Sequence, residues 1–297
     1  MIKLLHKNIA KKVKQKAKQQ LEVAQKKAPI PIRHFNFNFN PKELDPKFYL
    51  QKEWASAYFC SLSIFLTYGE DLVIETARYH RDLIEDPVLK QRLTSLIGQE
   101  AIHSKLHNEY NDIMIPNHLP VRLYRFLGEQ VFKYTFLKFP QPLKLSLMAG
   151  IEHFTAVLAE YMMKHEDHFY HSLDEKARAI WMWHMLEESE HKDIAYDTYQ
   201  VLSGKYGLRV LGFFLAFITL MFGVGAGALF IPFFRRPQNI LDKAFWQEAQ
   251  ESWSLLFGPK RGVFGSTLGH IFDYLRPTFH PNDHDTSEYL AYFEKKL

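Results

Sequence analysis

The chain has 297 residues, 47% of them hydrophobic and 24% charged, which is enough for one large domain with an ordinary buried core. Its single cysteine, Cys60, excludes an internal disulfide and any cysteine-rich zinc or iron–sulfur site within one chain, and suits a reducing compartment. The net charge of +4 is unevenly placed: residues 1–28 hold nine Lys and one Glu, or +8, which leaves the rest at −4. No nucleic-acid partner is expected of a mildly acidic body.

Residues 1–28 read as a basic amphipathic arm. Ile2, Leu5, Ile9, Val13, Ala17, Leu21 and Ala24 recur at helical spacing with lysines between them. Such a helix suits an anionic membrane surface; the plain alternative is a solvated arm. It lacks the apolar run and cleavage site of a signal peptide. A Pro-bounded stretch from Pro29 to Pro46 follows, in which the alternation of Phe35, Phe37 and Phe39 with Asn36 and Asn38 predicts a short extended piece with one packed face.

From Trp54 to Val201 the chain reads as helices. The periodicity predicts four, over 54–82, 87–112, 143–169 and 174–201, with helix starts at Asp86-Pro87 and Asp174. Pro116 and Pro120 separate the second from the third, and residues 121–139 form a further basic, aromatic helix in that long connection. Leu211–Phe234 contains no charged residue and is long enough to cross a bilayer. With Gly223, Gly225 and Gly227 at its centre and Arg209, Arg235 and Arg236 at its ends, a re-entrant hairpin is the expectation, which would keep those basic flanks on one cytoplasmic side. A helix buried against the bundle and a straight span are the alternatives. Residues 237–297 are expected to form a cap packing on the bundle. The division is therefore 1–28 arm, 29–205 helical bundle, 206–236 apolar helix or hairpin, and 237–297 cap.

Each of the four helices carries an acid on its apolar stripe: Glu70, Glu100, Glu152 and Glu188. Unpaired buried carboxylates cost several kcal/mol each, so four in one core call for cations. Glu100-Ala-Ile-His103 and Glu188-Ser-Glu-His191 are both Glu-x-x-His, which sets carboxylate and imidazole one turn apart on one face. Two lone Glu and two Glu-x-x-His is the ligand set of ferritin-like dimetal bundles. The order fits as well: thirty positions from Glu70 to Glu100, thirty-six from Glu152 to Glu188, and forty-nine from His103 to Glu152 for the crossover. The plain alternative is buried ion pairing with Arg78, Arg81 or Arg178. His184, four residues before Glu188, is a further candidate ligand, or else a histidine that supports a carboxylate. The expected metal set is thus Glu70, Glu100, His103, Glu152, His184, Glu188 and His191, with the four Glu also catalytic. His107 and His153 are expected behind the ligands, and Glu187 and Glu190 in solvent or paired with Lys192.

These segments resemble the bacterial "predicted metal-dependent hydrolase" family of the ferritin-like superfamily. The likeness rests on Arg33 with its aromatic strip, Gly69-Glu70, Gln99-Glu100 through His103 to His107, Ile151-Glu152-His153, Trp183-His184 through Glu187-Glu188 to His191-Lys192, and Arg276-Pro277 with Phe279-His280-Pro281. It covers about residues 30–290 and implies an all-α, ferritin-like four-helix bundle with a long crossover. His184-x-x-x-Glu188-x-x-His191 also resembles the di-iron arylamine N-oxygenases, in which an additional His joins the set. The expected cofactor is two metal ions, iron before Mn or Zn, because carboxylate-rich sites suit iron. Oxidation of a small hydrophobic, lipid-like substrate by O2 ranks above hydrolysis by a metal-bound hydroxide, and metal storage ranks last. A homodimer and a cytoplasmic location on the inner face of a membrane complete the expectations.

Overall fold

The computed structural model describes residues 30–35, 37, 45, 47–114, 119–166, 170–235, 240–260 and 262–296. The basic arm lies outside the described residues, as do Pro29, Asn36, Asn38, Phe39, Pro46, Pro116 and Arg236.

The fold is all-α. Helices α1 (Glu53–Arg81), α2 (Pro87–Met114), α3 (Leu119–Tyr134), α4 (Gln141–Lys164) and α5 (Glu175–His191) come first. Then follow α6 (Ile194–Leu202), α7 (Tyr206–Ile218), α8 (Gly225–Arg235), α9 (Lys243–Phe257), α10 (Leu268–Asp273) and α11 (Ser287–Phe293). Among the described residues the only β pairing is an isolated bridge, Tyr49 to Leu173. Two helix starts carry the side-chain caps their sequence promises: Asp86 accepts from the Leu89 N–H at 2.8 Å and Asp174 from the Ala177 N–H at 3.1 Å.

Helix α1 is the core helix and is buried along most of its length. It packs on α2, and α4 packs on α5; α1 and α4 touch, as do α2 and α5. One aliphatic and aromatic core fills the end near Phe59, Tyr110 and Trp181, and a second the other end, around Leu93, Met148 and Tyr199. The polar residues of the site lie between them.

Three expectations need correction. The fourth helix is not continuous to 201: it turns after His191 and restarts as α6 at Ile194. Asp193, in that turn, accepts from Arg92 at 2.8 Å and from Asn282 at 3.0 Å, so its carboxylate ties α2 and the tail to the break. The third helix ends at Lys164, short of 169.

The apolar segment is not a hairpin. Residues 206–235 run as one helical rod of about 45 Å, whose middle, Thr219–Val224, is a π turn. The glycines serve close packing instead of reversal: a Cβ on Gly212 would lie 2.5 Å from the Ser146 backbone, so α7 can cross α4 only with glycine there. Arg209 and Arg235 therefore stand at opposite ends of the rod. Arg209 is buried, its guanidinium over the rings of Tyr196, Tyr206 and Tyr274, and donates to the Arg276 carbonyl at 2.8 Å.

The tail packs on the bundle. His280 pairs with Asp197 at 3.0 Å, Tyr196 donates to the Phe279 carbonyl at 2.5 Å, and Lys192 donates to Thr286 at 2.9 Å. The N-terminal strip packs as its pattern predicts: Phe35 and Phe37 stack at 5.7 Å and both meet Trp183.

Candidate metal centre

The seven expected ligands converge. Glu70 comes from α1, Glu100 and His103 from α2, Glu152 from α4, and His184, Glu188 and His191 from α5, and all are buried. Their donor atoms fall into two groups, each within 4.8 Å: Glu70, His103 and His184 in one, Glu100, Glu152, Glu188 and His191 in the other.

Two carboxylates span the groups. One Glu188 oxygen lies 3.1 Å from His184 Nε2 and 3.6 Å from His103 Nδ1, and the other lies 3.8 Å from His191 Nδ1. One Glu100 oxygen lies 2.8 Å from His191 Nδ1, and the other lies 3.8 Å from His103 Nδ1. Glu70 stands at one end, 4.0 Å from His184 Nδ1, and Glu152 at the other, 3.5 Å from His191 Nδ1. Thus the Glu100–His103 pair is divided between the groups, whereas Glu188 and His191 fall in one group and Glu188 also faces the other. His184 joins Glu70 and His103.

Both oxygens of Glu70, and Glu100 Oε1, His103 Nδ1, Glu152 Oε2, His184 Nε2, Glu188 Oε2 and His191 Nδ1, are buried and make no hydrogen bond. Buried polar atoms are normally paired; eight that face one another are the donor set of a cation site, and the residues fit a metal.

The electrostatics point the same way. Burial and the neighbouring Glu100 push Glu152 up to about 8, and burial with Glu100 lifts Glu70 well above the carboxylate range. Glu100 is depressed, because His191 and His103 outweigh its burial. His103 rises to about 10 against its own burial, through Glu100 and Glu187. Without cations the cluster holds protons instead.

A second layer orients the imidazoles, and the sequence had misplaced most of it. His103 donates from Nε2 to Glu187 at 2.9 Å, leaving Nδ1 for the centre. His191 donates from Nε2 to Gln99 Oε1 at 2.6 Å, and Gln99 donates to Glu190 at 3.0 Å. Arg33 holds both chains, with two bonds of 2.9 Å to Glu190 and one of 3.3 Å to Glu187. Glu187 is buried and Glu190 is largely so, neither in solvent; Lys192 serves the tail. The legible signal was three acids in four positions, Glu187 to Glu190, on a helix with no polar face. His107 occupies its expected place: Nε2 lies 3.0 Å from His184 Nδ1, and Nδ1 2.7 Å from Ser63. Burial and the His184 beside it keep His107 neutral, so it can accept from His184 and donate to Ser63. His153 does not belong here; it meets the Ile271 carbonyl at 3.0 Å and stacks on Tyr274. Arg81 pairs with Asp82, and Arg178 donates to the Leu173 carbonyl.

The four carboxylates open on a small cavity of about 30 Å³ walled by Phe65, Leu66, Val73, Phe132, Phe136, Leu147, Ile151 and Leu220, with Thr155 and Thr219 its only hydroxyls. A second grouping, Glu160 with His270 and His284, lies at the surface, where Lys164 occupies Glu160 at 3.1 Å.

Comparison with curated proteins and with solved structures returns no match. The sequence profile described as "Predicted metal-dependent hydrolase" matches residues 31–285, from the Arg33 strip through all four ligand-bearing helices to the tail, and the chain belongs to that family.

Proposed function

We propose that the chain is a dimetal-dependent enzyme that acts on an apolar substrate at the carboxylate centre. The observation that carries this reading is the set of eight buried, unbonded donor atoms facing one another at the end of an apolar cavity. Two divalent ions balance the four carboxylates, with the three imidazoles neutral. Glu70, His103 and His184 would hold one ion and Glu152 and His191 the other, with Glu100 and Glu188, which face both groups, contributing their carboxylates. The carboxylates would be the residues in contact with the reacting atoms, and Glu187, Gln99 and His107 would fix the imidazole tautomers.

Two reactions suit such a centre, each with its own support. The family's description supports hydrolysis, for which bound ions polarise a carbonyl or phosphoryl group and activate water. The donor chemistry supports oxidation by O2: four carboxylates suit Fe or Mn better than Zn, and beyond them the cavity wall has only the hydroxyls of Thr155 and Thr219 to receive a polar ester. When bound as Fe(II), two irons would supply two of the four electrons that O2 accepts, the substrate would supply the other two, and an external reductant would restore the irons. The protein's share is then to bind the substrate, exclude water and hold the ligands.

The deciding experiment is turnover of a long-chain apolar ester and of the corresponding hydrocarbon, with an added electron donor throughout, with Fe under air, Fe without O2, and Zn under air. Ester cleavage in all three would establish hydrolysis and end the oxidation reading. Turnover of the hydrocarbon with Fe and air only would do the reverse. A chain that binds no metal at all would end both.

A further inference from the structure

The cavity at the carboxylates shares a wall with a larger groove at the surface. Phe65, Phe132, Phe136 and Thr219 line both. The outer groove has about 480 Å³, within the range of small-molecule pockets. It runs between α3 and the π turn and is open to the outside. Its walls are Leu123, Leu127, Val131, Ile218, Phe222 and Phe230, besides the shared residues.

Tyr124 and Thr219 alone among its lining residues carry polar side-chain atoms, and both are committed. Tyr124 donates to the Gly223 carbonyl at 2.6 Å, and Thr219 to the Leu215 carbonyl at 2.8 Å. Ser61 donates to the Val224 carbonyl at 2.8 Å. The hydroxyls of α1 and α3 thus bind the carbonyls at the end of the π turn and hold the helix widened beside the groove mouth; π turns gather at functional sites. Gly223 leaves room there for the Phe65 ring, whose edge would lie 2.3 Å from a Cβ at that position. A peptide in this groove would bury its backbone N–H and C=O groups without partners, at a cost of kcal/mol for each. A hydrocarbon chain needs no partners.

The rim shows where such a chain comes from. On α3, Leu123, Leu127, Val131 and Tyr134 are about half exposed, at helical spacing. Across the groove Ile218, Phe222, Leu229 and Phe230 are exposed, Phe222 at 75%. Over 206–235 only 22% of the apolar window is buried, against 83% for the core helix α1, so this rod is not a core element. An apolar face of this extent marks a surface that meets something. One end of the rod and the flank of α3 carry the marks of a membrane interface. Trp246, half exposed, packs on Phe233 at 5.7 Å near one end of the rod, and Arg122, Arg125 and Lys133 stand beside the apolar stripe of α3.

We propose that α3 and the rod dip into one leaflet of a bilayer, that the groove between them receives the hydrocarbon chain of a membrane lipid, and that the Phe65–Phe132–Phe136–Thr219 wall is the gate to the carboxylates. This rests on the proposed function for its last step only. The inner cavity is too small for a chain as it stands, so the rings of the gate swing aside when one enters. The lipid slides out of the leaflet without crossing water, and its chain reaches the centre end-on or by a middle segment.

The test uses the full chain, metal-loaded. Vesicles of phosphatidylglycerol and phosphatidylcholine with brominated acyl chains quench tryptophans that enter the hydrocarbon. In vesicle-bound protein the added emission of Phe222→Trp falls by at least half, and that of Tyr79→Trp, on the far part of α1, is unchanged. The fluorescent fatty acid cis-parinaric acid binds saturably, and Ile218→Trp, which fills the groove from a half-exposed position, weakens it at least tenfold while Tyr79→Trp does not. Unquenched Phe222→Trp on sedimenting vesicles overturns the proposal, as does fatty-acid binding indifferent to Ile218→Trp. A dimer that ignores vesicles and is split by Phe222→Asp overturns it in favour of a second copy on this face. Metal content is measured on each sample. Absence of lipid binding by the unsubstituted chain with both ions retained refutes the groove and leaves the centre standing; lipid binding by a chain that takes up no metal does the opposite.

Discussion

Replacing Glu187 by Gln tests whether the two ion positions are set independently from behind. Glu187 is fully buried, accepts from His103 Nε2 at 2.9 Å, and takes Arg33 on its other oxygen at 3.3 Å. Gln keeps the shape and can still accept from His103 through its one oxygen. Its amide N–H₂ then faces the Arg33 guanidinium, donor against donor. A hydrogen bond to a charged group contributes about 1.5–3 kcal/mol and a neutral one about 0.5–1.5. The exchange therefore weakens the support of His103 by about 1–2 kcal/mol, or roughly 5- to 30-fold in the affinity of the ion it serves, in line with a cost of about 10- to 100-fold for such outer partners. His191 is held by Gln99 and not by Glu187, so the other ion keeps its affinity. Competition of Mn(II) or Zn(II) against a fluorescent chelator resolves the two steps. One step weakens and the other does not; Gln99→Met, which leaves His191 Nε2 without its acceptor, weakens the opposite step. Equal weakening of both ions by Glu187→Gln, or of neither, would refute the division of the second layer between two sites.

Glu100→Ala and Glu188→Ala each remove a carboxylate that faces both groups, and each lowers bound metal well below two per chain by elemental analysis, whereas Glu70→Ala, at one end, keeps at least one ion. Arg92→Leu leaves Asp193 buried without its guanidinium partner and lowers unfolding free energy in urea by about 3–5 kcal/mol, while a double change to Leu and Asn recovers part of it. Metal-free protein loses thermal stability as pH rises from 7 to 10: the folded value of Glu152, about 8, exceeds its ordinary 4.5, and that of His103, about 10, exceeds 6.5, so both contributions are present at lower pH and vanish as these protons leave. Metal-loaded protein shows no such loss, and its apparent metal affinity rises over the same range because those protons compete with the ions. Deleting residues 1–28 moves part of the protein from vesicles to the soluble fraction at low salt, with a smaller effect at high salt, where a Debye length of about 10 Å at 0.1 M shortens further.

The convergence of these seven residues was legible because a carboxylate on an apolar stripe must meet a cation or a proton once it is buried, and because i and i+3 share a helix face whatever the tertiary fold. The same local rule could not assign partners. His103 and Glu100 are one turn apart, yet Glu100 lies closer to His191 of another helix, and His184 joins Glu70 instead of its neighbour His191; both depend on how α2 and α5 are rotated against each other. The Phe35 and Phe37 strip declared its packed face through alternation. Arg33, two residues earlier, gave no periodic signal for reaching α5, 154 positions away. The glycines of 223–227 read as a break because glycine is a poor helix former; two of them are instead sites of close approach, Gly223 to Phe65 and Gly227 to Ser61 and Tyr124, while a Cβ on Gly225 would meet open space. Arg209 read as a membrane flank because charge beside an apolar run has that meaning when nothing else is known; three tyrosine rings from α6, α7 and the tail surround it instead.

The segments outside the four ligand-bearing helices have a definite part in the centre. Arg33 lies in the N-terminal strip, yet it stands behind both donor groups, through Glu187 to His103 and through Glu190 and Gln99 to His191. Pro31 adds its carbonyl to Gln99 at 2.6 Å, and Glu294, after α11, reaches the same guanidinium at 3.3 Å. Strip and tail therefore meet on one residue behind the site. At another corner Asn282 joins the buried Arg92–Asp193 pair, where α5 turns into α6 two residues past His191. A bundle cut to its four helices would keep the seven donors but lose the groups that fix which imidazole nitrogen faces inward. That is a physical reason for the family profile to run from residue 31 to 285, beyond the stretch from Glu70 to His191 that contains every donor. Arg33→Ala carries the argument to a measurement. It leaves Glu187 and Glu190 without their cation, and it weakens both metal-binding steps together, where Glu187→Gln weakens one. If Arg33→Ala affected a single step, the strip would be packing on the bundle without governing its centre.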